Sequence, residues 1–473
     1  MIRAPQPFTM TFPLWALLFI AGFSSTGLAA QIAPNVRLDT DVRLQALADR
    51  NADLGTDGID SATAGAVEAR LRLTADLSAN TLFFWDGRAV LRPDEGAFQS
   101  ADTGSTFTDG SFLEWRQSYF QFNNVGSPST SFRVGRQKVR EEYGLWWNQD
   151  FDAARMSYDT TLFKGSLIGG ENLFSYRTGD GDLDENAKDL ALLMAEGSWQ
   201  YYYEHFFEAR IMLQNDHSGI EVGDVVSASN PDDREGKTYW SGVRATGHAP
   251  AFMAGAGKPS YRVDLMTLRG DEDVATIAGG VITGIDRKDV AGWGFDAATD
   301  IPLPNMRPIL HLGYAFGSGD DNAADNTDHG FHQNALKGNF SRIGALSENT
   351  DNYGTVLRPQ LANIHVLSAG FTMPVLEASN AGILYRYYRL DETATSLTDS
   401  GVFNTLNGVD DDLGQGLDLL FNMNVLAERQ MNMARVQEIS FRSSLGFFRS
   451  GDAYGAAEGE MAVRGLVELK VGF

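Results

Sequence analysis

The chain has 473 residues, no cysteine and a formal net charge of −24, from 62 acidic against 38 basic residues. That acidity argues against nucleic acid as a partner, since a polyanion is held by basic surface. The absence of cysteine in a chain this long suits a Gram-negative envelope protein better than a secreted soluble one.

Residues 1–30 read as a secretory signal peptide. Arg3 is followed by an apolar run from about Phe12 to Phe23 and then by small residues up to Ala29 and Ala30. The run falls short of the roughly 20 apolar residues that a spanning helix needs. No later stretch is apolar enough for one either. If residues 31–473 sit in a membrane, they must form a closed barrel, because an open sheet leaves backbone groups unpaired in lipid.

Alternation with a period of two recurs along these residues. Leu71, Leu73, Ala75 and Leu77 alternate with Arg70, Arg72, Thr74 and Asp76. Phe83, Trp85, Gly87 and Ala89 alternate with Phe84, Asp86, Arg88 and Val90. Phe207, Ile211 and Leu213 face away from Glu208, Arg210 and Gln214, and the pattern returns at 261–266, 310–316 and 417–425. Segments 112–122 and 132–139 alternate less cleanly. The chain closes on Val463, Val467, Leu469, Val471 and Phe473, set against Arg464, Leu466, Glu468 and Lys470. A strand of this kind separates an apolar side from a polar one. It could close a soluble sandwich, but a terminal Phe is the habit of outer-membrane barrels. Fifty glycines, 11% aromatic residues and a slightly negative mean hydropathy also fit a barrel, which needs only half of each strand apolar.

Polar tracts at 178–189, 214–237, 317–352 and 391–414 read as long loops. They take most of the acid, as at Asp180, Asp182, Asp184 and Glu185, or at Asp410, Asp411 and Asp412. Strands of about 10 residues joined by alternating short turns and long loops give about eighteen strands. The expected fold is therefore all-β: a transmembrane antiparallel β-barrel of 18 strands with long extracellular loops and short periplasmic turns. We expect one domain over 31–473, in the outer membrane of a Gram-negative bacterium.

Little else in the chain suggests chemistry. Asp320, Asp321, Asp325 and Asp328 could offer oxygen to calcium, but the glycine and final glutamate of a twelve-residue calcium loop are missing, and a solvated loop is the better reading. The seven histidines make no metal spacing. His365 with nearby Ser368 does not define a hydrolase triad. Neither an enzyme nor a cofactor is expected.

Several stretches carry a family resemblance. Phe112-Leu113-Glu114-Trp115-Arg116-Gln117 leads to Arg133-Val134-Gly135-Arg136-Gln137-Lys138-Val139-Arg140-Glu141. Asp159-Thr160-Thr161-Leu162, Tyr176-Arg177-Thr178, Gly354-Thr355-Val356-Leu357-Arg358 and Tyr385-Arg386-Tyr387-Tyr388-Arg389 follow, then Gly414–Leu419 and Phe448–Gly455. In order and spacing these resemble the alginate export porin family. The resemblance implies a monomeric eighteen-stranded barrel whose arginine-rich constriction passes a polyuronate outward. Carried over by motif, that constriction would include Arg43, Arg70 or Arg72, Arg116, Lys138, Arg358 and Arg442. Its partners would be an anionic polysaccharide or oligosaccharide, outer-membrane lipid, and the barrel-assembly machinery through the C-terminal strand. Four positions depart from the family pattern: Asn148, Ser175, Asn349 and Ser444.

Periodicity independently places Arg70, Arg72 and Arg442 on polar faces. An inward arginine can also simply ladder with a carboxylate to hold the wall. A passive pore runs down the gradient in either direction, so the same residues suit a porin that takes up small anions or oligouronates.

Overall fold

The protein is described by a computed structural model covering residues 30–55, 61–92, 98–100, 106–107, 110–178, 188–226, 234–251, 256–304, 308–322, 325–425 and 436–473. The expected signal peptide up to Ala29 lies outside these residues, as do Asp180, Asp182, Asp184 and Glu185.

Eighteen antiparallel staves form the wall. They are β1 (Val36–Arg50), β2 (Ser61–Ser78), β3 (Thr81–Leu91), β4 (Phe112–Asn123), β5 (Thr130–Arg140), β6 (Asn148–Asp159), β7 (Phe163–Gly170), β8 (Leu190–Tyr202) and β9 (His205–Asp216). The second half is β10 (Arg234–His248), β11 (Ser260–Ala278), β12 (Trp293–Pro302), β13 (Ile309–Gly317), β14 (Ile364–Leu376), β15 (Ser379–Leu390), β16 (Asp412–Val425), β17 (Glu438–Ser450) and β18 (Met461–Gly472). β18 closes on β1, from Asp41↔Gly472 to Arg50↔Val463, so the ring of strands is closed. The long β11 divides its partners. Ser260–Thr267 pairs with β12, while Gly270–Ala278 runs on as one arm of a hairpin with Val281–Val290.

The outer face is apolar, as the alternation requires. Leu71, Phe207, Ile211, Leu265, Leu312, Phe371, Ile383 and Leu419 all stand exposed on it. A patch of this size is stable only against lipid. Trp199, Tyr201, Tyr202 and Tyr203 cluster at the short turn between β8 and β9, where aromatic rings bridge hydrocarbon and water. Most connections on one side of the ring are short turns, and the longest loops lie on the other. They are the periplasmic and extracellular sides of such a barrel.

The described wall opens at a seam between β4 and β5. β4 and β5 pair only between Ser118–Asn123 and Ser131–Arg136. Above that point β5 pairs with β6 alone, up to Arg140↔Asn148. Gly135 marks the departure: its φ is 120°, and a Cβ there would lie 2.3 Å from the Ser118 carbonyl oxygen. Segment 171–178 fills the space beside β4. The Trp115 N–H donates to the Tyr176 carbonyl at 2.8 Å, and the Thr178 N–H donates to that of Leu113 at 2.9 Å. The Tyr176 hydroxyl donates to Asp152 at 2.7 Å, and the Arg136 guanidinium lies 3.8 Å from the Tyr176 ring centroid. A bulge at Arg116, where Asp86↔Gln117 is followed by Gly87↔Trp115, breaks the alternation of 112–122, and the departure at Gly135 breaks that of 132–139.

Besides the short piece Phe98–Ser100, whose Gln99 backbone exchanges hydrogen bonds with the inward Gln45 side chain of β1 at 2.8 and 2.9 Å and whose Gln99 side chain reaches Asp351, two longer described segments fold into the lumen. The first is the freed end of the β5–β6 hairpin, whose tip, residues 141–147, reaches β10 and β11. The second is the long connection from Gly317 to Ile364. Its Phe331, Leu336, Phe340, Tyr353, Leu357 and Leu361 are buried. Most of these pack with Val139, Trp146, Trp147 and Phe151 of the hairpin in one core. The interior of the barrel is thus occupied by its own chain.

Candidate functional site

The inward face of the wall is a ladder of ion pairs. Arg43 donates to Glu68 at 3.1 Å and meets Glu468 at 3.2 Å. Arg70 meets Asp86 at 2.5 Å, Arg72 meets Asp41 at 2.8 Å, and Arg442 meets Glu468 at 3.2 Å. Arg116, only 1% exposed, donates to Asp150 at 2.8 Å. Lys138 stands opposite that same Asp150 in the register. The ladder continues through Arg88 with Glu68 and Glu114, Arg244 with Asp264, Arg262 with Asp296, Arg386 with Asp418, and Arg464 with Asp49. Strands at fixed spacing put these charges face to face. A buried guanidinium without a partner would cost several kcal/mol, so each is matched.

Of the seven cations expected at a constriction, six therefore lie on barrel strands, and Arg43, Arg70, Arg72, Arg116 and Arg442 make the carboxylate contacts given above. Arg358 is the exception in position. It sits on the inward connection 318–363 with a φ of 45°. It lines a polar cavity of about 460 Å³ with Lys337, Asp351, Gln360 and Asp399. Burial raises the Asp351 carboxyl above its usual range, and the nearby Arg358 and Arg464 partly offset this. Because Asp399, Ser400 and Gly401 also line this chamber, it opens toward the long loops.

A second chamber, of about 520 Å³, lies toward the short turns. The wall contributes Arg43, Ser440, Glu468 and Lys470 to it. The hairpin contributes Arg140, Glu141, Glu142 and Tyr143, and the inward connection contributes Ser341, Arg342, Ser347, Glu348 and Asn349.

Glu141 fixes the hairpin. Its carboxylate accepts the Tyr143 N–H at 3.0 Å and the Trp146 N–H at 3.1 Å, and also that of Leu145, so it caps its own turn. On its other side it accepts from Arg244 of β10 at 2.7 Å. Burial pushes the Glu141 carboxyl up, but Arg244, Arg210 and these hydrogen bonds overcome it and hold it at about 2. Trp146 Nε1 adds a bond to Asp264 at 3.4 Å. Among the described residues Glu142 and Glu348 have no ion pair of this kind, and burial raises both above their ordinary value.

The four departures from the family pattern have plain places. Asn148 is buried at the foot of β6, where its N–H donates to the Leu336 carbonyl at 2.6 Å. The Asn349 carbonyl accepts from Arg442 at 3.3 Å, so that position still touches a wall cation. Ser444 pairs across to Leu466, and Ser175 sits in the segment that closes the seam.

Among Asp320, Asp321, Asp325 and Asp328, three carboxylates accept nearby backbone N–H groups: Asp320 from His329, Asp325 from Thr327 and Asp328 from Gly330. Elsewhere, Glu171, Asp189 and His217 bring ligand atoms within 4.8 Å of one another, at the loop ends of β7, β8 and β9. That trio is apart from the lumen cations.

Two residues of the lower chamber were not singled out by sequence reasoning. Arg140 lies within the motif that carries the resemblance, two residues past Lys138. Arg342 lies in a tract that reads as a solvated loop. The signal for Arg342 was there in Phe331, Leu336, Phe340, Ile343 and Leu346, too many apolar residues for a loop that stays in water.

A family model described as alginate export matches residues 35–467. The alginate production protein AlgE of Pseudomonas aeruginosa is 26% identical over 379 residues, covering 76% of this chain and 74% of that protein. Its namesake from Pseudomonas syringae is 24% identical over 370 residues, covering 72% and 71%. Among solved structures, OccAB1 of Acinetobacter baumannii superposes with a TM-score of 0.56 at 12% identity, covering 95% of this chain and 99% of that one. OccK5 (OpdH) of Pseudomonas aeruginosa gives 0.53 at 10% identity, covering 94% and 100%. At such identities the structural likeness concerns the fold, a porin-type β-barrel.

Proposed function

The chain belongs to the alginate export family, and on that premise we propose that it forms a passive outer-membrane pore for alginate or a related anionic polysaccharide. Residues 1–30 would direct it to the envelope and be removed, leaving 31–473 as the barrel. The observation that carries the reading is the lumen, where guanidinium groups project from most of the wall.

A polyuronate bears one carboxylate per sugar. Moving each into a narrow low-dielectric lumen without partners would cost several kcal/mol. Guanidinium forks match carboxylates two-pronged and can replace the lost hydration, as cation rings do in anion pores. We assign this field to Arg43, Arg70, Arg72, Arg116, Lys138, Arg358 and Arg442. Because most are already paired within the wall, they act by setting the potential and shape of the lumen more than by gripping the chain. A pore must also release what it binds, and half-neutralised cations suit that.

One observation favours uptake of small anions or oligouronates instead. The hairpin and the inward connection leave two chambers of about 460 and 520 Å³, on the scale of short sugars rather than a continuous chain.

Proteoliposomes loaded with labelled polyuronate and with neutral dextran of equal size separate the two readings. The export reading expects the polyuronate to leave faster than the dextran. Retention of the polymer with release of short oligouronates supports the uptake reading. Equal release of polyuronate and dextran contradicts both.

A further inference from the structure

We propose that Arg140 and Arg342 form a carboxylate-binding site in the chamber on the short-turn side, which takes the uronate groups of an anionic sugar chain. The inference rests on the pore reading above and says which groups the substrate touches.

The wall cations of that chamber are occupied. Arg43 is held by Glu68 and Glu468, and Lys470 meets Glu438 at 3.1 Å. Arg140 and Arg342 differ. Both line the chamber, both are exposed, and among the described residues neither forms an ion pair. A guanidinium stays charged at any physiological pH, so two uncommitted cations face one aqueous space.

Neither is a loose surface residue. Arg140 ends the β5 ladder against Asn148 and precedes Glu141, which is fixed to the far wall through Arg244. Arg342 follows Ser341, whose backbone pairs with Thr350 and whose hydroxyl donates to Asn352 at 2.6 Å. The two cations are thus brought together by the hairpin and the 318–363 connection, both of which fold inward. Fixed backbones lower the ordering cost of binding.

The surroundings suit a sugar acid. Ser341, Ser347, Asn349 and Ser440 offer hydroxyl and amide partners for sugar hydroxyls. Glu142 and Glu348 share the chamber and oppose an anion there. They weaken the hold, which lets a chain move on.

The test uses the full barrel in planar bilayers, with tetragalacturonate added on the short-turn side. Arg140→Ser with Arg342→Ser should raise the half-blocking concentration by about tenfold or more, the scale of one lost charge-assisted contact. The Lys substitutions at both positions should fall between, since they keep charge but lose the fork. Lys258→Ser, at a turn outside the lumen, should match the unsubstituted protein. If tetragalacturonate blocks the double Ser variant at the original concentration, the Arg140–Arg342 site is wrong and the pore reading stands. If it never blocks the unsubstituted protein, the polyuronate reading fails and the site with it.

A second measurement covers poor insertion of the double variant. The chain has no cysteine, so a single Ser347→Cys in the same chamber, with both arginines kept, can be labelled with a charged thiosulfonate. Tetragalacturonate should slow that labelling several-fold. An unchanged rate contradicts the site.

Discussion

Glu141 is the residue on which most of the inner structure depends. It caps its own turn and binds Arg244 across the lumen, so its loss leaves a buried cation short of a partner. We expect Glu141→Ala to lower stability by roughly 3–5 kcal/mol, the usual cost of breaking a buried pair. The fall should appear as a lower temperature of the heat-induced gel shift. The acid dependence follows from the same residue. Its carboxyl is depressed from 4.5 to about 2 in the fold, so its stabilisation is complete above about pH 4.5 and fades as pH falls toward 2. Glu141→Gln should flatten that acid limb, and an unchanged limb would assign it to other groups.

Glu142 and Glu348 shift the opposite way. Because burial raises them, they take up protons before ordinary carboxylates do as the solution is acidified. The groups around them, Arg43, Arg140, Glu141, Arg342, Glu468 and Lys470, would then leave the chamber more positive. Block by an oligouronate should strengthen as pH is lowered from neutrality toward 5. Weaker block on acidification would show that these two carboxyls do not face the path.

At the scale of elements, the β5–β6 hairpin is the part that departs from a plain barrel. Gly135 lets it leave the wall, and segment 171–178 closes the space it leaves. Any side chain at 135 meets the Ser118 carbonyl and an unfavourable φ. Gly135→Val should therefore cost at least about 1–3 kcal/mol and lower the yield of folded barrel. Tyr176→Ala removes the bond to Asp152 and the ring under Arg136. It should make the 171–178 segment open to protease in intact cells while the barrel stays heat-modifiable, and a segment as resistant as before would mean that other contacts hold the seam.

The staves were legible in the sequence because a period of two is a local property. Leu71 with Arg72, or Leu312 with His311, declares its face without knowledge of any partner. The hairpin was not legible, because its direction depends on Gly135 meeting a backbone on another strand and on Glu141 meeting Arg244 far along the chain. The same limit held for the site. Arg70, Arg72 and Arg442 could be placed on the inner face from alternation, but their partners Asp86, Asp41 and Glu468 come from other strands. Whether a cation is committed or open is a tertiary fact, and so Arg140 and Arg342 stood out only once the lumen was assembled.

For the whole molecule, the question is which charges decide selectivity. The chain is acidic, yet many of its carboxylates stand in the extracellular loops or pair within the wall. Loop charges such as Asp410, Asp411 and Asp412 are screened within about 8 Å at physiological salt. Lumen charges are screened less, and low-dielectric walls focus their field. Changing Arg116 and Arg358 together to Ser should lower the anion-to-cation permeability ratio more than neutralising those three aspartates raises it. Arg116→Ser also takes from Asp150 its guanidinium partner and leaves Lys138 as the cation opposite it, which adds to the effect. The measurement that bears most directly on the account is the reversal potential of the unsubstituted barrel under a salt gradient in planar bilayers. The account predicts anion selectivity at moderate salt, with conductance falling when polyuronate is added. Cation selectivity at every salt concentration would contradict it and leave a general porin as the better description.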